Sequence, residues 1–173
     1  MSQDFVFTVF TPTYNRAHTL PKLFSSLQEQ TFEDFEWVIV DDGSTDNTED
    51  VVQQWQDDSD FPIRYFRQEN SGKPAATNRG VRQAAGELFL DIDSDDHLLP
   101  EALEILFEHW QKIPDQDKSH FAGVGGLCAY ESGEIVGTPY PESPLDSEPV
   151  EIYYQLGVKG DKKWFVRTDL RRQ

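Results

Sequence analysis

The chain has 173 residues, a formal net charge of −17 and a hydrophobic content of 37%. This length suits one domain that buries roughly two-thirds of the surface of its unfolded chain. The negative charge argues against nucleic acid and anionic membranes as partners, because both are bound through clusters of Lys and Arg. The single cysteine, Cys128, excludes an intrachain disulfide.

Four short apolar runs, each followed by polar turn residues, predict buried β-strands. They cover residues 5–10, 37–40, 63–66 and 88–92. The segments between these runs have the apolar spacing of amphipathic helices. Strands that alternate with helices form βαβ units, so we predict an α/β fold with a doubly wound, mainly parallel sheet flanked by helices.

The pattern changes after about residue 113. A fourth amphipathic helix is predicted to begin at Pro100. Further strands are predicted at residues 121–130 and 163–168, and the residues of 137–149, rich in Pro, Gly and Ser, predict a long surface loop. No closing helix is predicted at the end of the chain, residues 170–173. The change in pattern divides the chain into residues 1–113 and residues 114–173.

The sequence shows no targeting or membrane-spanning segment. No basic, apolar leader is visible at the N-terminus, and no stretch approaches the ~20 apolar residues of a membrane span. We therefore expect no membrane span and a cytoplasmic location.

A polar cluster follows each of the first four predicted strands. The clusters are TPTYNR (11–16), DDGSTDNT (41–48), QENSGKPAATNRG (68–80) and DIDSDDHLLP (91–100). Taken singly, such residues are typical of turns and helix caps. Because the carboxyl ends of parallel strands meet at one edge of the sheet, where ligands bind in open α/β folds, the four clusters together predict a binding site.

The fourth cluster carries the carboxylates of Asp91, Asp93, Asp95 and Asp96. Like charges this close repel each other unless a cation is present. Oxygen ligands with no Cys or His partner favour Mg²⁺, Mn²⁺ or Ca²⁺. The cluster therefore predicts a divalent metal site, and a solvated acidic turn is the alternative.

These four motifs, in this order and spacing, resemble those of the inverting family-2 glycosyltransferases with the Rossmann-like GT-A fold. The resemblance covers about residues 5–110. It implies transfer of a sugar from a nucleotide diphosphate sugar, with a UDP-sugar favoured, to an acceptor hydroxyl with inversion. The acceptor, a glycan or a lipid-linked sugar, is left open. Residues 1–113 would form the nucleotide-sugar-binding subdomain, and residues 114–173 the start of a truncated acceptor-side region.

The resemblance also implies roles for individual residues. Pro12, Tyr14 and Asp42 would line the base pocket, and Asp93 would face the ribose. Asp95, with Asp93 and Asp96, would hold Mn²⁺ or Mg²⁺ on the diphosphate. The implied nucleotide-sugar-binding residues are Thr11, Pro12, Tyr14, Asp41, Asp42, Lys73, Asn78, Asp93 and Ser94.

The chain departs from the family pattern in two places. Thr77 stands where many members have an Arg, so Lys73 or Arg79 would supply that charge. No downstream Glu-Asp motif is present, so we expect the general base for the acceptor beyond Gln173. If residues 1–173 transferred sugar by themselves, Asp161 or Glu134 would be the first candidates for the base.

Two other interpretations remain at this point. The segment LFLDIDSD resembles the motif of haloacid-dehalogenase-type phosphatases, with Asp91 as nucleophile and Asp93 as acid/base. That motif normally opens its domain, whereas three βα units precede it here, and Asp95 stands where Thr or Val is usual. The second alternative is a nucleotide-sugar-binding module without turnover.

Overall fold

The computed structural model describes residues 4–172. Within that range it contains one sheet, six α-helices and one short 3₁₀ helix, Lys118–His120. The strands are β1 Phe5–Thr13, β2 Phe35–Asp41, β3 Ile63–Arg67, β4 Gly86–Asp91, β5 Gly123–Leu127 and β6 Lys162–Arg167. The helices are α1 Leu20–Gln28, α2 Thr48–Asp58, α3 Lys73–Gln83, α4 Ala102–Gln111, α5 Pro149–Tyr154 and α6 Thr168–Arg171.

The sheet has the order β3-β2-β1-β4-β6-β5. The first four strands are parallel to one another, while β6 runs antiparallel to β4 and to β5. The predicted α/β fold with a mainly parallel sheet is confirmed. Helices α1, α2 and α3 join the consecutive strands β1 to β4, as βαβ connections require.

Strand β1 continues three residues past the predicted run. Thr11, Pro12 and Thr13 pair with β2, whereas the pairing of β1 with β4 ends at Phe10. Proline lacks a backbone N–H, and it is tolerated where a strand has a neighbour on one side only. The first polar cluster therefore begins inside a strand, and its backbone is held by the sheet.

Two apolar clusters cover the two faces of the sheet. Alternate residues of β1 point to opposite faces, so Phe7 and Val9 join the larger cluster and Phe10 the smaller one. The larger cluster contains buried residues of α1, α2 and α4, and the smaller one contains Ala76 and Val81 of α3. Helices on both faces leave the carboxyl edge of the strands to the polar loops.

The part of the chain after residue 113 completes this sheet through β5 and β6. The division at 113/114 remains a prediction, and the sheet runs across it. The prediction that no helix closes the chain was wrong, because Thr168–Arg171 forms the single turn α6. This turn depends on tertiary contacts, since Thr168 Oγ1 donates to the carbonyl of Gly86 at 2.8 Å and Arg172 donates to carbonyls near the end of α3.

Among the described residues, the helices are all too short or too polar to cross a membrane.

Candidate active site

The four polar clusters lie together at the carboxyl edge of the parallel strands. Backbone hydrogen bonds join them: the Asp42 N–H donates to Thr13 O at 2.8 Å, and the Gln68 N–H donates to Asp41 O at 2.9 Å. On the other side of β1, the Ile92 N–H donates to Phe10 O at 2.9 Å. The sheet therefore brings the loops into one place, as the strand pattern predicted.

Asn15 ties the first loop to the second. Its backbone N–H donates to Ser44 Oγ at 2.8 Å, and its Oδ1 accepts the N–H of Thr45 at 2.7 Å and of Asp46 at 3.3 Å. Asn15 has a φ of 54°, a left-handed conformation that Asn tolerates better than most residues. The sequence analysis did not single out this residue; an Asn at the end of a strand-turn motif was the available signal.

Asp41 is fully buried and is held on both of its oxygens. Oδ1 accepts the N–H of Ser44 at 2.8 Å, and Oδ2 accepts the hydroxyl of Tyr65. Burial, and then the hydrogen bond to Asp41, raises the pKa of the Tyr65 hydroxyl. The carboxylate shapes the turn after β2, and Tyr65 of β3 fixes its orientation.

Asp42 organises the loop after β3. Its Oδ1 accepts from Gln68 Nε2 at 2.8 Å and from the Ser71 N–H at 2.9 Å, and its Oδ2 accepts from the Gly72 N–H at 2.7 Å. Burial alone would raise the pKa of Asp42, but these hydrogen bonds hold it below its ordinary value. An ionised carboxylate therefore lies between the second and third clusters.

The remaining residues expected at the nucleotide differ in exposure. Tyr14 is 47% exposed, close to the buried Pro12. Thr11 is fully buried, and its hydroxyl accepts the indole N–H of Trp37 at 3.0 Å. Asn78 is exposed on α3, and Ser94 is buried in the loop after β4. Tyr14 and Asn78 are thus open to a ligand, whereas Thr11 and Ser94 face the protein.

The acidic cluster is paired with two lysines. Lys73, at the start of α3, contacts Asp93 Oδ1. Lys163 lies 2.7 Å from Asp93 Oδ2 and 2.9 Å from Asp96 Oδ2. Partial burial acts to raise the pKa of Asp93, but the hydrogen bonds from Lys163 and Lys73 bring it below its ordinary value. Asp93 is therefore an ionised group between two cations.

Lys163 was not predicted as a site residue. The antiparallel register pairs Leu90 of β4 with Phe165 of β6, so β6 continues past the end of β4 and brings Lys163 beside Asp93. The available signal was a lysine directly before the apolar run of the predicted strand, residues 164–166. The order and direction of that strand in the sheet could not be read from the local sequence.

The third cluster contributes a cation through Lys73. Arg79, the other candidate for the charge missing at Thr77, donates from Nη1 to the carbonyl of Arg67 at 2.7 Å. Its guanidinium also lies over the ring of Phe66, 5.6 Å from the centroid. Lys73, in contact with Asp93, is thus the better placed of the two to meet a phosphate near the acidic cluster.

The oxygen ligands at this edge suit a hard divalent cation, but they do not form a complete metal site by themselves. Among residues 4–172, no three His, Cys, Asp or Glu side chains are arranged to hold a metal ion. Asp95 is exposed, and Asp93 and Asp96 are paired with Lys163. Mg²⁺ commonly takes only one or two protein carboxylates and completes its shell with substrate phosphates and water. The donor set fits a cation of that kind.

Asp91 differs from its neighbours. It is the last residue of β4, and burial is the first cause that raises the pKa of its carboxyl group. A raised pKa favours the protonated form, which is a poor nucleophile.

Comparison with known proteins identifies the family. The sequence profile described as "Glycosyl transferase family 2" matches residues 8–120. The GalNAc(5)-diNAcBac-PP-undecaprenol beta-1,3-glucosyltransferase of Campylobacter jejuni is 42% identical over 126 residues, which is 72% of this chain and 38% of that protein. The chain thus spans well under half the length of this relative.

Solved structures agree with the sequence matches. Residues 1–349 of S. aureus TarS in complex with UDP give a TM-score of 0.66 at 28% identity, covering 95% of this chain and 47% of that one. The mannosyltransferase PcManGT from Pyrobaculum calidifontis, in complex with GDP-Man and Mn²⁺, gives 0.51 at 33% identity over 53% of this chain and 28% of that one. The chain therefore belongs to glycosyl transferase family 2 and has the GT-A fold.

Proposed function

We propose that this chain binds a nucleotide diphosphate sugar, with a UDP-sugar favoured, at the carboxyl edge of β1–β4. The observation that carries the proposal is the joining of four polar loops at this edge, next to the acidic cluster and its two lysines. The resemblance to TarS in complex with UDP supports a uracil base. The resemblance to a structure in complex with GDP-Man and Mn²⁺ supports a nucleotide-sugar donor, with a different base.

In this proposal, different residues at this edge contact different parts of the nucleotide sugar. The exposed ring of Tyr14 stacks on the base, and Pro12 forms the wall beside it. Asp42 has three donors on its two oxygens, and a carboxylate accepts about four hydrogen bonds, so one position remains for a base N–H. Asp41, Thr11 and Ser94 are buried behind this region, and Asp41 stabilises the turn after β2.

The diphosphate lies next to the acidic cluster in this proposal. Asp95, with Asp93 and Asp96, would hold Mn²⁺ or Mg²⁺, and Asp93 would also face the ribose. When bound, the metal supplies Lewis-acid neutralisation of the leaving diphosphate. Lys73 adds a positive charge from the start of α3, and Asn78 on the same helix offers an amide to the phosphates or the sugar. The positive end of the helix dipole adds to the attraction of the phosphates.

In this proposal, transfer is a single displacement, with the inversion taken from the family resemblance. The acceptor hydroxyl approaches the anomeric carbon from the side opposite the diphosphate, so the configuration is inverted. A sugar hydroxyl is a poor nucleophile near neutral pH unless a positioned base removes its proton. We place that base outside residues 1–173, on the acceptor side, and the acceptor is a glycan or a lipid-linked sugar. The glucosyltransferase of C. jejuni, named for a polyprenyl-linked glycan, supports the latter.

Calorimetric titration of the chain with UDP and with GDP, each with and without Mn²⁺, tests the donor site. Binding of a nucleoside diphosphate that needs Mn²⁺ is expected. Failure of both nucleotides to bind in the presence of Mn²⁺ contradicts the proposal.

The alternatives are weaker. The family membership disfavours a phosphatase, and formation of an aspartyl-phosphate mimic with beryllium fluoride would be needed to revive it. A module that binds the donor without turnover remains the second candidate, because the acceptor base is not recognised in this chain. The cytoplasmic location remains a prediction from the sequence, which cell fractionation tests.

A further inference from the structure

The ammonium group of Lys163 bridges two carboxylates of the acidic cluster. Its Nζ atom is 2.7 Å from Asp93 Oδ2 and 2.9 Å from Asp96 Oδ2. The side chain of Lys163 is 21% exposed, whereas that of Asp96 is 44% exposed. The lysine is therefore the inner member of the group, and it offsets the repulsion between the two carboxylates.

A divalent cation shared by Asp93 and Asp96 needs the same position. Carboxylate oxygens bind Mg²⁺ at about 2.0–2.1 Å, so a cation between these two oxygens would overlap the ammonium group. The two cations would also repel each other. Lys163 and a shared metal ion therefore cannot occupy the cluster together in this arrangement.

We propose that Lys163 is an internal counter-ion that competes with the divalent cation for Asp93 and Asp96, an inference that rests on the proposed donor site. Asp161 Oδ2 lies 3.9 Å from the Lys163 Nζ atom, on a side chain that is 64% exposed. The flexible stem of a lysine lets the ammonium group turn to this third carboxylate when the metal enters. Binding of metal and donor then includes the exchange of one cation for another.

Titration of the chain with MnCl₂ alone tests this competition, with free Mn²⁺ followed by electron paramagnetic resonance. Lys163→Met removes the charge and keeps a side chain of similar length. It is expected to bind Mn²⁺ about tenfold more tightly than the wild type, because a positive charge within a few ångströms is removed. Lys163→Gln supplies the same comparison if the methionine variant does not fold by circular dichroism.

Lys112→Met is the matched control. It changes the net charge equally at a side chain that is 67% exposed and that forms an ion pair with Glu108 of α4. Its Mn²⁺ affinity is expected to stay within about twofold of the wild type, since surface charges are screened. Mn²⁺ binding by the folded Lys163 variants that is no tighter than that of Lys112→Met overturns the proposal.

A parallel UDP titration at saturating Mn²⁺ separates this inference from the proposed function. If UDP binds the wild type but the Lys163 variants do not gain Mn²⁺ affinity, the counter-ion role is wrong and the donor site stands. If the variants gain Mn²⁺ affinity but neither UDP nor GDP binds to any of the proteins, the counter-ion role stands and the donor site is wrong.

Discussion

The side-chain oxygen of Asn15 accepts a hydrogen bond from the backbone N–H of Thr45 at 2.7 Å, which joins the loops that follow β1 and β2. The bond depends on the left-handed conformation of Asn15, with a φ of 54°. One residue therefore sets both the direction of its own loop and the position of the next. Its replacement is a direct test of how rigid the proposed base pocket must be.

Asn15→Ala is expected to lower the free energy of unfolding by about 2–4 kcal/mol. It removes the side-chain hydrogen bonds of Asn15. It also leaves an alanine in the left-handed region, which asparagine tolerates better because its side chain can form local hydrogen bonds. Urea unfolding measures the change, and affinity for UDP should fall with it. Asn47→Ala is the control, because Asn47 makes no side-chain cap bond, and its effect is expected within about 0.5 kcal/mol. Equal effects of the two changes would contradict the role of Asn15.

Asp42→Asn is expected to lower the free energy of unfolding at neutral pH by about 1–3 kcal/mol. The carboxylate accepts from Gln68 and Ser71 on Oδ1 and from Gly72 on Oδ2, whereas an amide has only one oxygen that can accept. The pKa of Asp42 is lowered in the folded protein from a value of 3.8. Its stabilisation is therefore complete above that value and is lost as the pH falls through the lower, folded-state pKa.

The difference in stability between the wild type and Asp42→Asn should thus shrink below about pH 4, as measured by urea unfolding at a series of pH values. The exposed Asp57→Asn serves as the control and should change stability by less than about 0.5 kcal/mol. A difference that stays constant down to pH 2 would show that the charge of Asp42 is not what matters.

Asp95→Ala is expected to abolish Mn²⁺-dependent binding of UDP while leaving the fold intact. Asp95 is exposed, so its removal takes away a proposed metal ligand and no core volume. Without metal the melting temperature should stay equal or rise, since one carboxylate of a crowded group is gone. Asp60→Ala, a change at another exposed aspartate, should leave UDP binding as it is. Unchanged Mn²⁺-dependent UDP affinity in Asp95→Ala would remove Asp95 from the site.

Residues 1–173 are expected to bind the donor nucleotide without transferring sugar. UDP with Mn²⁺ at 100 times its dissociation constant adds about 2.7 kcal/mol of stability, which raises the melting temperature of a domain of this size by roughly 5–10 °C. Loss of a general base costs about 10²–10⁴-fold in rate, and loss of the acceptor platform costs more. Differential scanning fluorimetry and a UDP-release assay measure the two properties. Multiple turnovers by this chain would direct attention to Asp161 and Glu134.

Gly80→Ala is expected to destabilise the fold by about 1–3 kcal/mol, because overpacking forces neighbours apart. A Cβ at Gly80 would lie 2.2 Å from the ring of Phe10, where α3 packs on β1. Gly126→Ala is the control, since the nearest atom to its Cβ would be Leu106 Cδ2 at 3.8 Å. Thermal unfolding compares the two, and a Gly80 variant as stable as the Gly126 variant would show that the α3 contact yields without strain.

Much of the fold could be predicted from the sequence because its signals are local. The apolar runs at β1–β4 and the polar residues that follow them depend on neighbouring positions along the chain. Parallel βαβ geometry then places those polar residues at one edge. The acidic cluster around Asp93 and Asp95 was visible in the same way, because its carboxylates are close in sequence.

Only the tertiary structure decided which partners these groups meet. Lys163 is 70 residues from Asp93, and it reaches the cluster because β6 returns antiparallel beside β4. Tyr65 reaches Asp41 across a β-strand pair, and the loop after β3 closes on Asp42 from 29 and 30 residues away. Strand order and direction are properties of the whole sheet, so the sequence identified the charged groups, and their packing determined which charges are neutralised.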